Sequence, residues 1–587
     1  MADDAITPLR TRWADDLDHE APWPEYPRPQ LRRERWQNLN GRWAFAITNR
    51  DAPMPEHLPD TITVPFPVGS ALSGVDHTVT ADERVWMRRR FTPPLRHPGE
   101  RLRLHFGAVD WEAEVWCNDQ AVGRHRGGFV PFSVDITDAV GEGEEAELTV
   151  AVWDPSDEGP QPVGKQSLRP VAIQYTPVAG IWQTVWLEPV PSPCIESVVA
   201  TTALARHELT VTVTAAGSES GDEAVVRVPG GPAGRAPMID GTARVLLAFD
   251  HLRPWSPTDP HLHDLAVSLE RDDTVVDHVD SYAGAREVGV DRDADGHWRL
   301  HLNGHPIFHL GLLDQGWWPD GLYTAPTDEA LAHDIEITKA MGFNTIRKHV
   351  KVEPARWYWH ADRLGVLVWQ DMPNTRFDLR EMLRQMGDGI DHPDMDFGRI
   401  APADDPAGFR AELDAMLDHL APFPSIVTWV PFNEGWGQHD TDATLAHVAQ
   451  RDRSRVVDGP SGWVDHGTGA LRDHHVYGRE ATLPEADGER PTVYGEYGGL
   501  GLTVAAHNTH ADGWGYQQAD DAEQLADLYA ELTDTIAGLI PQGLAAAIYT
   551  QTTDVEAEHN GLLTYDRAVV KIPVERLARM HRRLIES

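Results

Sequence analysis

Cysteine is almost absent from this chain. Its 587 residues include only Cys117 and Cys194, with no CxxC and no closely spaced Cys/His set, which argues against a disulfide framework or a structural zinc site. Long apolar runs are missing too, and none approaches the ~20 residues of a membrane-spanning helix. The opening MADDAITPLRTRWADD lacks the apolar stretch of a secretory signal, so a cytoplasmic location and no membrane partner are expected. Positive charge is scarce: Lys+Arg 51 against Asp+Glu 92 leaves a net charge of -41. The acids are scattered along the chain, and such a surface repels nucleic acid. HEXXH is missing, so the 29 histidines give no reason to expect a metal or any other cofactor.

What is present points to several globular domains, since 587 residues exceed what one core supports. From about Arg42 to Pro189, short runs such as RVWMRRRFTP, RLRLHFGAV and AELTVAVWDP alternate apolar with polar residues. Period two between Gly, Pro, Asn and Asp clusters predicts an antiparallel β-sandwich over residues 1–190. ELTVTVTA, AVVRV and HDLAVSLERDDTVVDHV predict a second, immunoglobulin-sized sandwich over 191–285. After about Arg286 the texture changes, as helical segments such as TDEALAHDIEITKAMG separate near-continuous apolar runs. Eight such runs, PIFHLGLL, FNTIRK, GVLVWQD, SIVTWVPFNE, SRVVDG, HHVYG, TVYGE and AAAIYTQ, predict a (β/α)₈ barrel over 286–587.

In such a barrel the reactive residues close the strands. Here those positions hold Asp314 and Gln315, Arg347 and His349, Asp371, Asn433 and Glu434, Asp458, Tyr477, Glu496, Tyr549 and Gln551. Ordinary turn chemistry does not explain two glutamates directly after buried strands. Glycoside hydrolysis with retention needs a proton donor and a carboxylate nucleophile about 5 to 5.5 Å apart. Glu434 ends the fourth run and Glu496 the seventh, which face one another across the barrel, so Glu434 is expected as acid/base and Glu496 as nucleophile. Asn433 is placed to bond a sugar 2-OH, and Tyr477 or Tyr494 to donate to Glu496. Trp317 and Trp318 offer faces for a sugar ring, with a packing cluster as the alternative. Trp436 follows the acid/base directly, and Trp514 lies on HNTHADGWGYQQ, which reads as a mobile loop able to close over the site.

Several of these segments form an ordered set. VWMRRRF, HFGAVDWEAEVWCNDQAVGRHRGGFVPFSVDIT and GIWQTVWLEPV come first; PWSPTDPHLHDLAVSLE and LNGHPIFHLG follow, then PSIVTWVPFNEGWGQ and VYGEYGG. The set resembles glycoside hydrolase family 2, the family of β-galactosidases, β-glucuronidases and β-mannosidases. The resemblance implies a sugar-binding-like jelly roll, an immunoglobulin-like domain and a catalytic TIM barrel. It carries the acid/base motif over to Asn433 and Glu434, and the nucleophile motif to Glu496. It also lets a loop of the jelly roll reach the barrel mouth, where Lys165 and Gln166 would shape the pocket.

Departures narrow the substrate. Where family glucuronidases place a lysine for the substrate carboxylate, EAEHNGLLTYDR holds Glu558 and Asn560, which disfavours a uronic acid. Arg347 is retained, but His349 is shifted one place and Asp371 replaces the usual glutamate. The ligand pattern for the magnesium of some large relatives is not recognisable. The expected function is that of a retaining exo-β-glycosidase for terminal neutral sugars, first a β-galactosidase. Family alternatives are a β-galactofuranosidase, β-mannosidase or α-L-arabinopyranosidase. The rivals from other classes are a non-catalytic carbohydrate-binding protein and a metal-dependent hydrolase; a homo-oligomer is left open.

Overall fold

The computed structural model describes residues 9–585 apart from 142, 387–396, 479–480 and 485–487. The first alternating region forms two antiparallel sheets. Six strands lie in the order Asp60–Val64, Gly41–Asn49, Glu83–Phe91, Ala146–Trp153, Glu112–Cys117 and Gln120–Arg126. Four more lie in the order Gln37–Asn38, Val185–Val190, Arg101–Phe106 and Phe132–Asp135. Their alternate residues meet in one core, Val85, Met87, Val115 and Val150 from the first sheet with Leu102, Leu104 and Leu187 from the second. Each such side chain contributes about 1.5–3 kcal/mol by leaving water. The second region is a smaller sandwich, with Cys194–Ala203, Glu208–Ala216 and Thr242–Ala248 in one sheet. The other sheet holds Ala233–Pro237, Asp222–Arg227, His263–Arg271 and Thr274–Ala283.

The eight apolar runs become the parallel strands His309–Asp314, Thr345–Lys348, Leu367–Asp371, Ile426–Val430, Val456–Val457, Arg472–Tyr477, Thr492–Gly498 and Leu544–Thr550. The first five pair in sequence, as do the last three, and the first pairs with the eighth; among the described residues no ladder joins the fifth to the sixth. The fifth strand is only two residues long. Among the described residues no helix follows the fifth or sixth strand. Elsewhere helices follow as the periodicity predicts. Asp328–Ala340 starts at Thr327, whose hydroxyl accepts from Ala330 N, and Ala522–Leu539 starts at Asp521, which accepts from Gln524 N.

Two features were not legible as motifs. A three-stranded antiparallel sheet, Val288–Arg292, Trp298–Leu302 and His305–Pro306, precedes the barrel. It sends Leu300 and Leu302 into the barrel core with Leu313, Trp369 and Ile548. The N-terminal segment is a strap across all three domains. Thr11 N and Oγ1 donate to Asp320 of the barrel at 2.8 and 2.7 Å, and Trp23 Nε1 donates to Ala325 O at 3.0 Å. Arg28 pairs with Glu188 of the jelly roll at 2.5 Å and Arg33 with Asp277 of the second sandwich at 2.6 Å.

Candidate active site

Glu434 lies in the turn Asn433–Gly435 after the fourth strand, at φ 49°, ψ 23°. Left-handed backbone is uncommon for a residue with a side chain. Ser461 holds the turn, its Oγ accepting from Glu434 N at 3.0 Å and donating to Asn433 Oδ1 at 3.2 Å. Glu496 sits in the seventh strand beside an irregularity, where pairing to the eighth strand shifts between Tyr494 and Tyr497. Val493 faces the barrel core, Tyr494 and Tyr497 the helix layer. The extra residue, Gly495, flips the alternation so that Glu496 points inward. Only glycine suits this place, since a Cβ would run into the Asp473 carboxylate.

The two carboxylates meet around His475. One oxygen of Glu434, one of Glu496 and a ring nitrogen of His475 all lie within 4.8 Å of one another. His475 Nδ1 is 2.9 Å from Glu434 and 3.5 Å from Glu496. Burial opposes charge on this ring, but Glu496, Asp473 and Glu434 outweigh it and push its pKa up to about 10. Glu496 behaves in the opposite sense. Burial would raise its carboxyl, yet His475 first, with Arg347 and Lys165, holds it down to about 2, and Tyr477 Oη donates to its Oε2 at 2.6 Å. Beneath them Arg347, fully buried, donates to Asp371 at 2.9 Å, Asn433 Oδ1 at 2.9 Å, Gly495 O at 3.0 Å and Ser461 at 3.2 Å. One guanidinium thus ties together the second, third, fourth and seventh strands. By spacing, Glu434, His475 and Glu496 could also hold a cation, which would have to displace the His475 proton.

The other expected contacts divide. His349 Nδ1 donates to Asp371 Oδ2 at 2.9 Å, while its Nε2 is buried without a partner, as is Asn433 Nδ2. Both can therefore bond a ligand. Asp371 itself is occupied by Arg347 and His349. Asp314 is taken by Lys348 at 2.7 Å, in a buried cluster with Glu353 and Lys351, and offers nothing to a sugar. Asn560 uses one donor on Glu558 at 2.9 Å and one acceptor position on Gln551 at 2.7 Å. Glu558 also accepts from Tyr175 of the jelly roll and from Gln315.

The expected aromatic faces are mostly covered. Trp317 packs on Tyr175 and Tyr323, and Trp318 lies between Trp13 and the Arg567 guanidinium. They belong to the core between domains, because the strap and jelly roll close over them. Trp436 stacks on Phe377 at 4.1 Å. Tyr494, turned outward by the Gly495 irregularity, leaves its hydroxyl unpartnered among apolar residues and donates nothing to Glu496. Tyr549 also faces the helix layer, where its hydroxyl accepts from Leu500 N at 3.1 Å. The Trp514 loop is pinned rather than free, with Trp514 bonded through its backbone to Ala557 and His559 at 2.9 and 2.8 Å. Trp514 meets Tyr516 edge-on at 5.3 Å, and Tyr516 stacks on Tyr477 at 3.7 Å.

His475, Tyr516 and Trp463 were overlooked in the sequence. Trp463 lies edge-on to His475 at 5.6 Å. A signal for His475 did exist: Asp473, His475 and Tyr477 alternate along one strand, so Tyr477 at the barrel mouth places the other two on the same inward face. Nothing local marks Tyr516 or Trp463, which reach the site from loops.

Three family models match the chain: "Glycosyl hydrolases family 2, sugar binding domain" over residues 61–188, "Glycosyl hydrolases family 2" over 194–286, and "Glycosyl hydrolases family 2, TIM barrel domain" over 321–481. Among curated relatives, a β-galactosidase of Thermoanaerobacter pseudethanolicus is 24% identical over 64% of this chain and 48% of its own. A β-glucuronidase of Paenibacillus borealis is 25% identical over 60% of this chain and 61% of its own. The matches thus span about half the length of these relatives. Among solved structures, Ruminococcus gnavus β-glucuronidase superposes with a TM-score of 0.77 at 16% identity, covering 96% of this chain and 99% of that one. Bifidobacterium dentium β-glucuronidase, complexed with coumarin-3-O-glucuronide, gives 0.73 at 19%, covering 93% and 96%. At these identities the likeness is one of fold.

Proposed function

Because the chain belongs to glycoside hydrolase family 2, we propose that it is a retaining, exo-acting β-glycosidase working through Glu434 and Glu496. The observation that carries this reading is the pair of carboxylates at the barrel mouth with oxygens within 4.8 Å of one another. That separation suits direct attack, whereas an inverting pair stands about 6.5–9.5 Å apart to admit a water. Glu496, held ionised down to about pH 2, attacks the anomeric carbon as Glu434 protonates the departing oxygen. A water activated by Glu434 then cleaves the glycosyl ester, returning the anomeric configuration to its starting sense. Asn433 Nδ2 is free to bond the 2-OH as charge develops at the anomeric centre.

The substrate is a terminal neutral β-linked sugar, a β-galactoside first. Supporting this is the buried Glu558 carboxylate, tied to Tyr175, Gln315 and Asn560 in place of a cation that would receive a uronate. A glucuronide is the competing reading, favoured by the names of the relatives. A panel of 4-nitrophenyl β-glycosides, pyranosides, furanosides and the glucuronide together, separates the two. We expect turnover of a neutral glycoside in EDTA, first-formed product of retained configuration by NMR, and loss of at least ~10⁴-fold in kcat for Glu496→Ala. Unchanged turnover in Glu496→Ala and Glu434→Ala would refute the mechanism. No turnover of any glycoside, with binding intact, would leave a carbohydrate-binding protein.

A further inference from the structure

Residues 162–167 of the jelly roll lie against the barrel mouth, fastened on both flanks. Val163 N and Gly164 N donate to Asn374 O at 2.8 and 3.0 Å, and Asn374 Nδ2 donates back to Gly164 O at 3.1 Å. Gly164 takes φ +61°, and a Cβ there would stand 2.7 Å from Val350 O, so glycine lets the two backbones approach. On the other flank Gln166 donates to Asp110 at 3.0 Å and accepts from Val178 N at 2.7 Å, while Tyr175 N donates to Lys165 O at 2.9 Å. The side chain held between these clamps is that of Lys165.

Lys165 is 5% exposed, and its ammonium has no hydrogen-bond or ion-pair partner among the described residues. Its charge acts instead on His349 and Glu496. The stem is buried while the ammonium, 6.0 Å from the centre of the Tyr175 ring, keeps contact with solvent, so an accepting group can reach it, and packing alone would be served better by methionine. Gly164, the residue before Lys165, packs against Val350, and the residue before Val350 carries an unsatisfied group. His349 Nδ1 donates to Asp371, so Nε2, on a ring 1% exposed and without a partner, presents a lone pair. Burial first, and the Lys165 charge next, keep this ring neutral.

We propose that Lys165 and His349 jointly read one hydroxyl of the terminal sugar, the ammonium donating to its oxygen and His349 Nε2 accepting its proton. The proposal rests on the two-carboxylate reading above and deepens it. Only a group that accepts and donates at once satisfies both partners. A carboxylate would satisfy Lys165 but turn lone pairs on His349 Nε2 and bring an anion toward Glu496. A missing hydroxyl would leave the buried His349 Nε2 unpaired and the ammonium without its acceptor, the situation that gives strong discrimination. The jelly roll is thereby a specificity element of a site whose chemistry lies in the barrel.

The test measures kcat/KM on the best neutral 4-nitrophenyl β-glycoside, its monodeoxy analogues and the matching uronide, for wild type, Lys165→Met and His349→Gln. Wild type should lose about 100-fold or more on one monodeoxy analogue. Each variant should lose a similar factor on the parent sugar yet match wild type within about threefold on that same analogue. Lys165→Gln, which keeps a neutral donor, should fall between wild type and Lys165→Met, and this ordering survives if the methionine variant folds poorly. Equal losses on every sugar would overturn the proposal, leaving Lys165 to act only through the charge of Glu496. A wild type that prefers the uronide, with that preference abolished in Lys165→Met, would overturn it in favour of carboxylate recognition. If wild type turns over no glycoside at all, the parent reading fails instead.

Discussion

In the proposed double displacement, negative charge leaves Glu496 and arrives on Glu434 in the first step, then returns in the second. His475 Nδ1, 2.9 Å from one and 3.5 Å from the other, stays beside that charge wherever it resides, with no rearrangement required. The same contacts make the ring a source of pH-dependent stability. Its folded pKa of about 10 lies above the unfolded value near ~6.5, so its contribution is full below about pH 6.5 and lost as pH rises through about 10. The gap in melting temperature between wild type and His475→Gln should therefore be widest near pH 6 and narrow toward pH 10. A constant gap across that range would show that the ring is not held as a cation. Glu434, Glu496, Asn433 and Arg347 were legible because each closes an apolar run. Asp314 and Asp371 close runs as well, but what satisfies them comes from Lys348 and from Arg347 with His349, and a single sequence does not reveal such pairings.

Among the elements, the seventh strand decides which tyrosine donates to Glu496. Reading TVYGEYG with unbroken alternation puts Tyr494 and Glu496 on one face, and only the irregularity at Gly495 separates them. Tyr477, on the neighbouring strand, takes the role instead. Tyr477→Phe should lower kcat by about 10–100-fold through loss of a hydrogen bond to an ionised carboxylate. Tyr494→Phe removes a hydroxyl that bonds nothing, so kcat should be unchanged within a factor of two. Steady-state kinetics on the two variants checks the assignment, and equal losses would contradict it. Strand and helix texture could be read from sequence because periodicity is local. The register shift could not be, since it depends on where Asp473 stands in the next strand.

At the scale of the whole molecule, three domains with separate textures and cores of their own also meet in a joint cluster. Trp13 and Trp23 of the strap, Phe129, Tyr175 and Trp182 of the jelly roll, and Trp317, Trp318 and Tyr358 of the barrel belong to one buried cluster. Periodicity distinguished the three textures and said nothing of this joint, because the same tryptophans satisfy a core reading and a sugar-binding one. Removing residues 1–35 should expose parts of that cluster, break the Arg33–Asp277 pair, and lower the melting temperature by roughly 5 °C or more. Calorimetry should also show the single transition splitting. An unaltered melt would mean that the strap contributes nothing.

The strap also sets an order of events during synthesis. Thr11 is bonded to a residue 309 positions further on, so at about 5–20 residues per second it waits on the order of 15–60 s after leaving the ribosome before its partner exists. Through that interval Trp13 and Trp23 have no barrel to bury them. The residues around Thr11, made ahead of the barrel, settle only after it, whereas Arg28 and Arg33 can pair with the two sandwiches as soon as these exist.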